Sequence, residues 1–423
     1  MFELSRRNLL QGSMLGLGAA ALPMTALGQS NARIVIIGGG FGGATAARLL
    51  KSLLPKASVT LIEKTAQFYA CPFSNLVIGG NRSMAAQTFS YDQLKSDGVH
   101  VVNALATDID AVAKTVKVNG ETVIDYDRLI LSPGIDIRWE AIEGYDEAAA
   151  EALPHAWKAG PQTILLRQKL EALEDGQTVI MTAPAAPYRC PPGPYERASL
   201  IAHFLKTRKP RSKLLVLDAK DSFSKMALFQ EAWAEHYPDH LEWRGAADDG
   251  SPQRVDAANK TVFTDFDEIS ADVINVIPPQ KAGLIADRAG VSDATGWCPI
   301  DPLSFESRLQ SDIHVIGDAT IAAPMPKSAF SANLQAKVCA IAIARSLSGL
   351  VPISTTLANT CYSYTTPHEA ISIAGVYTNA SGELKSISGA GGVSPMAADI
   401  SIRTAEAAQA AHWFKTITSE AFG

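Results

Sequence analysis

The tightest constraint on this 423-residue chain is a contrast between two turns. Arg33–Ile37 is a short β-branched run that enters Gly38-Gly-Gly40-Phe-Gly-Gly43, after which Ala44–Leu54 repeats at helical spacing. Val59–Ile62 reads as the next strand and ends at Glu63, 20 positions beyond Gly43. Strand, glycine turn, helix, strand and acid together predict a βαβ unit. In such a unit the backbone approaches a pyrophosphate and the acid meets a ribose hydroxyl. The second run of this kind, Thr178–Ala183, enters Pro184-Ala-Ala-Pro-Tyr-Arg-Cys190-Pro-Pro-Gly-Pro-Tyr-Glu196-Arg instead. The prolines flanking Cys190, with Tyr188 and Arg189, block that approach and stiffen the loop. The chain therefore predicts one fold that holds a dinucleotide and a second that gave up a nicotinamide cofactor and acquired a thiol.

Leu129-Ile-Leu-Ser-Pro-Gly134 is an apolar strand ending in a turn, like the second short motif of flavin-binding folds. Ser311-Asp-Ile-His-Val-Ile-Gly317-Asp318-Ala319 ends a strand in Gly-Asp, where two-dinucleotide-fold flavoproteins hold the ribityl or pyrophosphate end of FAD. Ser328–Leu347 reads as a long helix whose positive N-terminus faces the flavin pyrimidine. Further strands are expected near 178–183 and 213–217, inside an insertion. The expected fold class is α/β, with two dinucleotide-binding-like (Rossmann-type) domains, the second inserted in the first, plus a small α+β C-terminal module. The boundaries read 1–28 leader, 29–160 and 281–350 FAD-binding domain, 161–280 central domain, and 351–423 C-terminal module. That last part is expected to hold short β-like pieces and a helical tail around Ala405–Phe414.

Hydrophobic residues make up 47% of the chain and charged ones 19%, which excludes a disordered chain and fits two or three full cores. A net charge of −6 without a basic stripe argues against nucleic acid as a partner. Ser5-Arg6-Arg7-Asn8-Leu9-Leu10, followed by an apolar stretch to Leu27, has the form of a twin-arginine leader, with cleavage expected before Gln29. No other segment approaches the ~18 apolar residues of a membrane span. The mature chain is therefore expected in the periplasm without stable membrane insertion.

Disulfides persist in that compartment. Five cysteines are an odd number there, so at least one is free, modified or bound. There is no CxxC and no CxxCH, which excludes a zinc ribbon and an attached c-type haem, and the histidines show no metal-ligand spacing. Cys71, in Phe68-Tyr-Ala-Cys71-Pro72, falls where the fold returns beside the flavin ring. A tether to the flavin 8α-methyl, a buried inert thiol and redox use all fit that spacing. Cys190 sits in a loop built to present it, with Glu196 as an acid or base nearby; a structural turn and a helix-starting charge are the plain alternatives. Cys361 has no local reason to be reactive, and Cys298 and Cys339 read as packed thiols.

Taken together these stretches resemble the flavoprotein subunit of flavocytochrome c sulfide dehydrogenase. The matching segments are the leader, Gly38–Gly43, Tyr69-Ala-Cys71-Pro, Tyr188–Arg197, Gly296-Trp-Cys298-Pro, Asn359-Thr-Cys361-Tyr-Ser and the closing Ala421-Phe-Gly423. They span essentially the whole mature chain. The resemblance implies FAD bound covalently through Cys71, a redox disulfide between Cys190 and Cys361, Glu196 near it, and Trp413 near the flavin. Gly38, Gly40, Gly43, Glu63, Gly317 and Asp318 complete the cofactor set. It further implies oxidation of hydrogen sulfide to sulfur or polysulfide. Hydrosulfide attacks one disulfide sulfur by thiol–disulfide exchange, and electrons pass through FAD, singly, to a c-type cytochrome subunit or soluble cytochrome c. Two other functions would use the same cysteines. One is a sulfide:quinone oxidoreductase, which the alanine-rich tail Thr404–Phe414 fits poorly. The other is an accessory flavoprotein that reductively reactivates a sulfur-carrier protein.

Overall fold

The computed structural model describes residues 30–423, and the leader expected at 1–28 lies outside the described residues. The chain opens with β1 (Arg33–Ile37), α1 (Phe41–Leu53) and β2 (Ser58–Glu63). After a one-turn helix α2 (Ser74–Ile78), strands β3 (His100–Asn103) and β4 (Arg128–Leu131) follow. A second run then supplies β5 (Thr178–Ala183), α3 (Gly193–Arg208), β6 (Lys213–Asp218), α4 (Met226–His236), β7 (Leu241–Arg244) and β8 (Val273–Val276). The return brings β9 (Ile313–Val315) and α5 (Ala329–Ser346), and the chain closes with β10 (Thr356–Thr366), β11 (Glu369–Thr378) and α6 (Ile400–Phe422).

The first sheet has the order β9-β4-β1-β2-β3 with every pairing parallel. Its edge strand β9 comes from the far side of the excursion, so the first fold is completed only when the chain comes back. The second sheet, β7-β6-β5-β8, is also parallel throughout. Both sheets are covered on two faces, which is why their strands are continuous apolar runs rather than alternating ones. Ile34, Ile36, Leu61, Val179, Leu214 and Val216 are all buried at the centre of one contiguous core. This is the inserted two-fold architecture expected from the sequence.

The C-terminal part departs from expectation in size. In place of short β pieces, β10 and β11 form an antiparallel hairpin paired from Thr356–Thr378 to Thr366–Glu369. Its small and polar residues (Ala358, Asn359, Thr360, Cys361, Ser363) hide the strand signal, because here burial by neighbouring elements sets the pairing and propensity does not. The tail helix is also longer than the expected 405–414. It begins at an Asp399 cap that accepts from Ser401 N at 2.8 Å and runs to Phe422. Phe422 stacks on Phe68 and Phe89 at 5.0 and 5.2 Å, which fastens the chain end to the first domain. No described helix is long and apolar enough to cross a membrane.

Candidate active site

A cavity of about 530 Å³ reaches from the first glycine turn to three partly buried cysteines, Cys71, Cys190 and Cys361. Gly38, Gly40 and Glu63 line it at the carboxyl edge of the first sheet, and Gly317 and Asp318 line it just past β9. Glu196 and Trp413 border it as well, so of the candidate residues only Gly43 does not. Gly43 lies beneath the turn: a Cβ there would stand 1.9 Å from the Gly38 carbonyl oxygen, so glycine lets α1 close on the strand end. Gly38 itself has φ +98°, and a Cβ there would meet the Ser132 carbonyl oxygen at 2.2 Å. Cys298 and Cys339 are fully buried in the core.

Glu63 is braced across the turn. Its Oε2 accepts from Gly39 N at 2.8 Å, and its Oε1 accepts from Thr65 N and Oγ1. Asp318 is less well served. Its Oδ1 is buried without a hydrogen-bond partner, and Arg189 stands 4.0 Å from Oδ2. Burial pushes this carboxyl up, against the pull of Arg189 and Lys327. A buried acceptor left unpaired costs roughly 1–3 kcal/mol, so a hydroxyl of a bound molecule fits this position. The glycine turn at the start of α1 and the first turn of α5, where Ser328, Ala329 and Phe330 line the cavity, both present positive helix ends. An elongated dinucleotide with a polyhydroxyl linker, such as FAD, fits these residues.

The thiol end is built from four separate parts of the chain. Cys190 has φ +57°, a left-handed conformation that a side chain occupies at a cost of roughly 1–3 kcal/mol. Its turn is held by Cys190 N donating to Lys327 O and Gly193 N donating to Cys190 O, each at 2.8 Å. Cys361 faces the same cavity from β10, where Asn359 Nδ2 donates to its sulfur at 3.2 Å. All five cysteines are thiols in this structure. Burial pushes the Cys190 thiol up, helped by Cys361 and Glu196 and opposed by Arg189 and Lys225. Burial also raises Cys361, with Asn359 and Lys225 opposing.

Beneath the cysteines lies a buried polar network. Asn75 of α2 donates from Nδ2 to Glu196 Oε2 at 2.7 Å, and Tyr364 N donates to Oε1 at 2.9 Å. Arg197 donates to Asn75 Oδ1, His155 O and Ala156 O, and its guanidinium lies over the Trp157 ring. Burial raises the Glu196 carboxyl above its ordinary range, while the Tyr364 amide and Asn75 pull it down. Lys225, also in a left-handed turn, donates to Cys361 O, Ser363 Oγ and Ile371 O. Its burial brings the ammonium down to about 8. Trp413 of α6 stacks nearly parallel to Phe330 at 6.1 Å, with Tyr362 at 6.3 Å.

The central fold keeps the counterpart of Glu63 but fills its place. Asp218 ends β6 as Glu63 ends β2, and it is fully buried. Its Oδ2 accepts from Tyr195 Oη at 2.7 Å and Trp243 Nε1 at 3.0 Å, and Lys220 Nζ donates to Oδ1 at 2.5 Å. Tyr195 in turn stacks on Phe223 at 3.5 Å. Fully buried beneath these side chains, that acid is out of reach of a ribose.

Sequence reasoning did not assign Asn75, Lys225, Asn359 or Asp218. Asp218 was detectable as an acid ending a second βαβ strand. Asn75 and Asn359 stand beside candidate cysteines in the quoted motifs, but nothing in the run around Lys225 signals a buried ammonium.

Comparison with known proteins bears on this geometry directly. Residues 163–278 match the central domain of the sulfide dehydrogenase (flavocytochrome c) flavoprotein chain, and 353–422 match the flavin-binding domain of flavocytochrome c sulphide dehydrogenase. Residues 32–161 match the pyridine nucleotide-disulphide oxidoreductase family. A flavocytochrome c sulfide dehydrogenase flavoprotein sequence from Chlorobaculum thiosulfatiphilum is 56% identical over 45 residues, covering 11% of this chain and 94% of that sequence. The mitochondrial sulfide:quinone oxidoreductase of Mus musculus is 21% identical over 313 residues, 69% of this chain and 66% of that one. The fold superposes on the sulfide:quinone oxidoreductase of Aquifex aeolicus with a TM-score of 0.72 at 17% identity, covering 92% of each chain. With the two family-specific domains flanking a thiol-lined dinucleotide cavity, the chain belongs to the flavoprotein chains of flavocytochrome c sulfide dehydrogenase, FAD-dependent sulfide oxidoreductases of the pyridine nucleotide-disulphide oxidoreductase superfamily.

Proposed function

We propose that the chain is exported by the twin-arginine route, carries FAD tethered through Cys71, and oxidises sulfide in the periplasm through a Cys190–Cys361 disulfide, passing electrons singly to a c-type cytochrome. The supporting observation is that Cys71, Cys190 with Glu196, and Cys361, from three distant parts of the sequence, line one cavity together with the glycine turn. Gly38 and Gly40 at the start of α1 would receive the pyrophosphate, Glu63 a ribose, and Asp318 the ribityl hydroxyls, with Cys71 and Trp413 bordering the ring. FAD, when bound, supplies a two-electron acceptor that gives up its electrons one at a time.

The protein's own groups do the rest. Arg189 and Lys225 bring positive charge to the cysteines and favour an anion there. Hydrosulfide forms a bond to one disulfide sulfur, the cysteine–cysteine bond breaks, and the other cysteine leaves as a thiolate. Glu196, a carboxylate whose proton affinity burial has raised above its ordinary range, takes the proton of the new persulfide. A second hydrosulfide bonds to the outer sulfur of the persulfide, the bond from that sulfur to the cysteine breaks, and hydrodisulfide leaves. The two cysteine thiolates then hold the electron pair that FAD, when bound, would accept as the disulfide re-forms.

Steady-state turnover of sulfide with oxidised cytochrome c, with and without a sulfur-carrier protein, tests this reading. Turnover that requires the carrier would favour the accessory role instead. A quinone-reducing role is named by the mouse and Aquifex relatives. Against it, α6 turns Phe414, Ile417 and Phe422 into the core and exposes only Ile400 and Ile402 among its large apolar residues.

A further inference from the structure

The two cysteines are not equivalent. Asn359 Nδ2 donates to the Cys361 sulfur at 3.2 Å, whereas no described group makes a hydrogen bond to the Cys190 sulfur. The asparagine is 3% exposed and its orientation is fixed from behind. Ser328 Oγ donates to Asn359 Oδ1 at 2.5 Å and Ser331 Oγ at 3.2 Å. Those serines form the N-terminal cap of α5, where Ser328 Oγ also accepts from Ser331 N at 3.0 Å. With both hydroxyls donating to Oδ1 and Ser328 Oγ already accepting from Ser331 N, this network favours the orientation that turns the amide nitrogen toward the sulfur. A 3.2 Å contact is short for a donor to sulfur. Such a donor is placed to stabilise negative charge when it forms on that sulfur.

We propose that Asn359, oriented by Ser328 and Ser331, is the catalytic donor that stabilises a thiolate on Cys361, so that Cys361 is the sulfur that departs when sulfide attacks. This rests on the proposed Cys190–Cys361 disulfide. The step balances as an exchange: hydrosulfide bonds to Cys190 Sγ, the Cys190–Cys361 bond breaks, and its electron pair stays on Cys361. The exchange itself yields a protonated Cys190 persulfide, whose proton Glu196 then takes, and a Cys361 thiolate, with the single negative charge conserved. In such exchanges the sulfur of lower pKa leaves faster, so a donor on one sulfur alone sets which bond end departs.

Of the ionisable groups facing Cys361, Lys225 favours its thiolate and Glu196 disfavours it. Lys225, from the turn before α4, donates to the Cys361 carbonyl oxygen, and its charge favours the thiolate. Glu196 from α3 opposes it, Cys190 acts reciprocally, and Tyr377 faces it from β11. Lys225 and Glu196 influence both cysteines. Arg189 favours charge on Cys190 alone, but through space only, whereas Asn359 makes a direct hydrogen bond to the Cys361 sulfur.

The test uses the full-length holoprotein. Oxidised protein is denatured, alkylated without reductant and mapped by mass spectrometry, which reads the Cys190–Cys361 bond directly. After anaerobic reduction, iodoacetamide labelling of each cysteine is followed against pH. In Asn359→Leu the labelling midpoint of Cys361 should rise by about one to two pH units, the effect of a hydrogen bond to a charged group. Cys190 should move far less. Sulfide should reduce the flavin about three- to tenfold more slowly, while flavin content and reduction by dithionite stay unchanged. Ser331→Ala, which leaves the helix cap in place, should shift Cys361 in the same direction by a smaller amount and serves if the leucine variant misfolds. An intact disulfide with an unchanged Cys361 midpoint in the soluble variants overturns the role of Asn359 alone. Equal shifts at both cysteines overturn it too, as a general loosening. A wild-type protein with no Cys190–Cys361 bond removes the disulfide reading and this one with it.

Discussion

Replacing Glu196 with glutamine tests whether the buried acid works in the reaction or only in the packing. The two carboxylate oxygens accept from Asn75 Nδ2 and Tyr364 N, and Asn75 cannot turn over because Arg197 Nε donates to its Oδ1 at 3.0 Å. A glutamine amide can satisfy one donor, and its own NH₂ then faces the other. Leaving that pair unmade costs roughly 1–3 kcal/mol of stability. The pH dependence has a definite sign. Burial raises Glu196 above its ordinary 4.5. Its contribution to stability is therefore full below that ordinary value and is lost as pH rises through the folded-state value. The glutamine does not titrate, so the stability gap between wild type and variant should narrow as pH increases. In catalysis the carboxylate is the proton acceptor. Wild-type reduction by sulfide, followed at the flavin absorbance in a stopped-flow instrument, should thus rise with pH through a midpoint above 4.5. Glu196→Gln should lose that limb and fall by about 10²–10⁴-fold, the usual worth of a positioned acid or base, with dithionite reduction unchanged. A variant that sulfide reduces at near wild-type rate with the limb intact would show Glu196 to be structural.

The other predictions concern the thiols and the second dinucleotide fold. Cys190→Ser and Cys361→Ser should each keep the flavin yet abolish its reduction by sulfide, with dithionite still effective, because a lone thiol offers no disulfide to attack; survival of sulfide turnover in either variant would relocate the reaction. Flavin should stay with the denatured wild-type polypeptide on a gel and leave it in Cys71→Ser; loss from the wild type would make Cys71 a packed thiol. NADH and NADPH at micromolar concentration should not bleach the flavin, since Asp218 is already engaged by Tyr195, Trp243 and Lys220; rapid bleaching by either would mean that this side-chain plug opens.

How much of this was legible in the sequence follows from the range of each interaction. The βαβ unit at 33–63 was legible because strand, turn, helix and acid are adjacent, and each constrains the next through local geometry. The proline-framed Cys190 was legible for the same reason, since its loop conformation is written in the residues beside it. That Cys361 shares a cavity with Cys190 was not, because β10 reaches the cavity through its packing on α3 and α5. From residues alone Cys361 had no local reason to react. Lys225 was hidden more thoroughly. Its ammonium is spent on backbone and hydroxyl acceptors of the β10–β11 hairpin, and no spacing rule links position 225 to that hairpin. The tail helix was underestimated because its anchors, Asp399 at one end and the Phe422 stack at the other, lie outside the alanine-rich middle.

The filling of the second acid's surroundings and the presentation of a thiol arise from the same stretch of chain. In the first fold a glycine turn leaves the strand ends open, and Glu63 braces that turn while still lining the cavity. In the second, Tyr188–Pro194 occupies the same topological position, and the helix that follows carries Tyr195 onto Asp218 and Glu196 toward Asn75. Successive residues of one helical turn thus close the old ligand site on one side and build the new one on the other. Cys190, one turn earlier, is forced into a left-handed conformation that lets its sulfur line the cavity and not the vacated cleft. Restoring glycine to this loop alone would therefore not restore a nicotinamide site. Tyr195 would still hold Asp218, and the prolines that position Cys190 would be gone. Only opening both sides of α3 at once would reverse the exchange, and that would also dismantle the Glu196 network on which the proposed proton transfer depends.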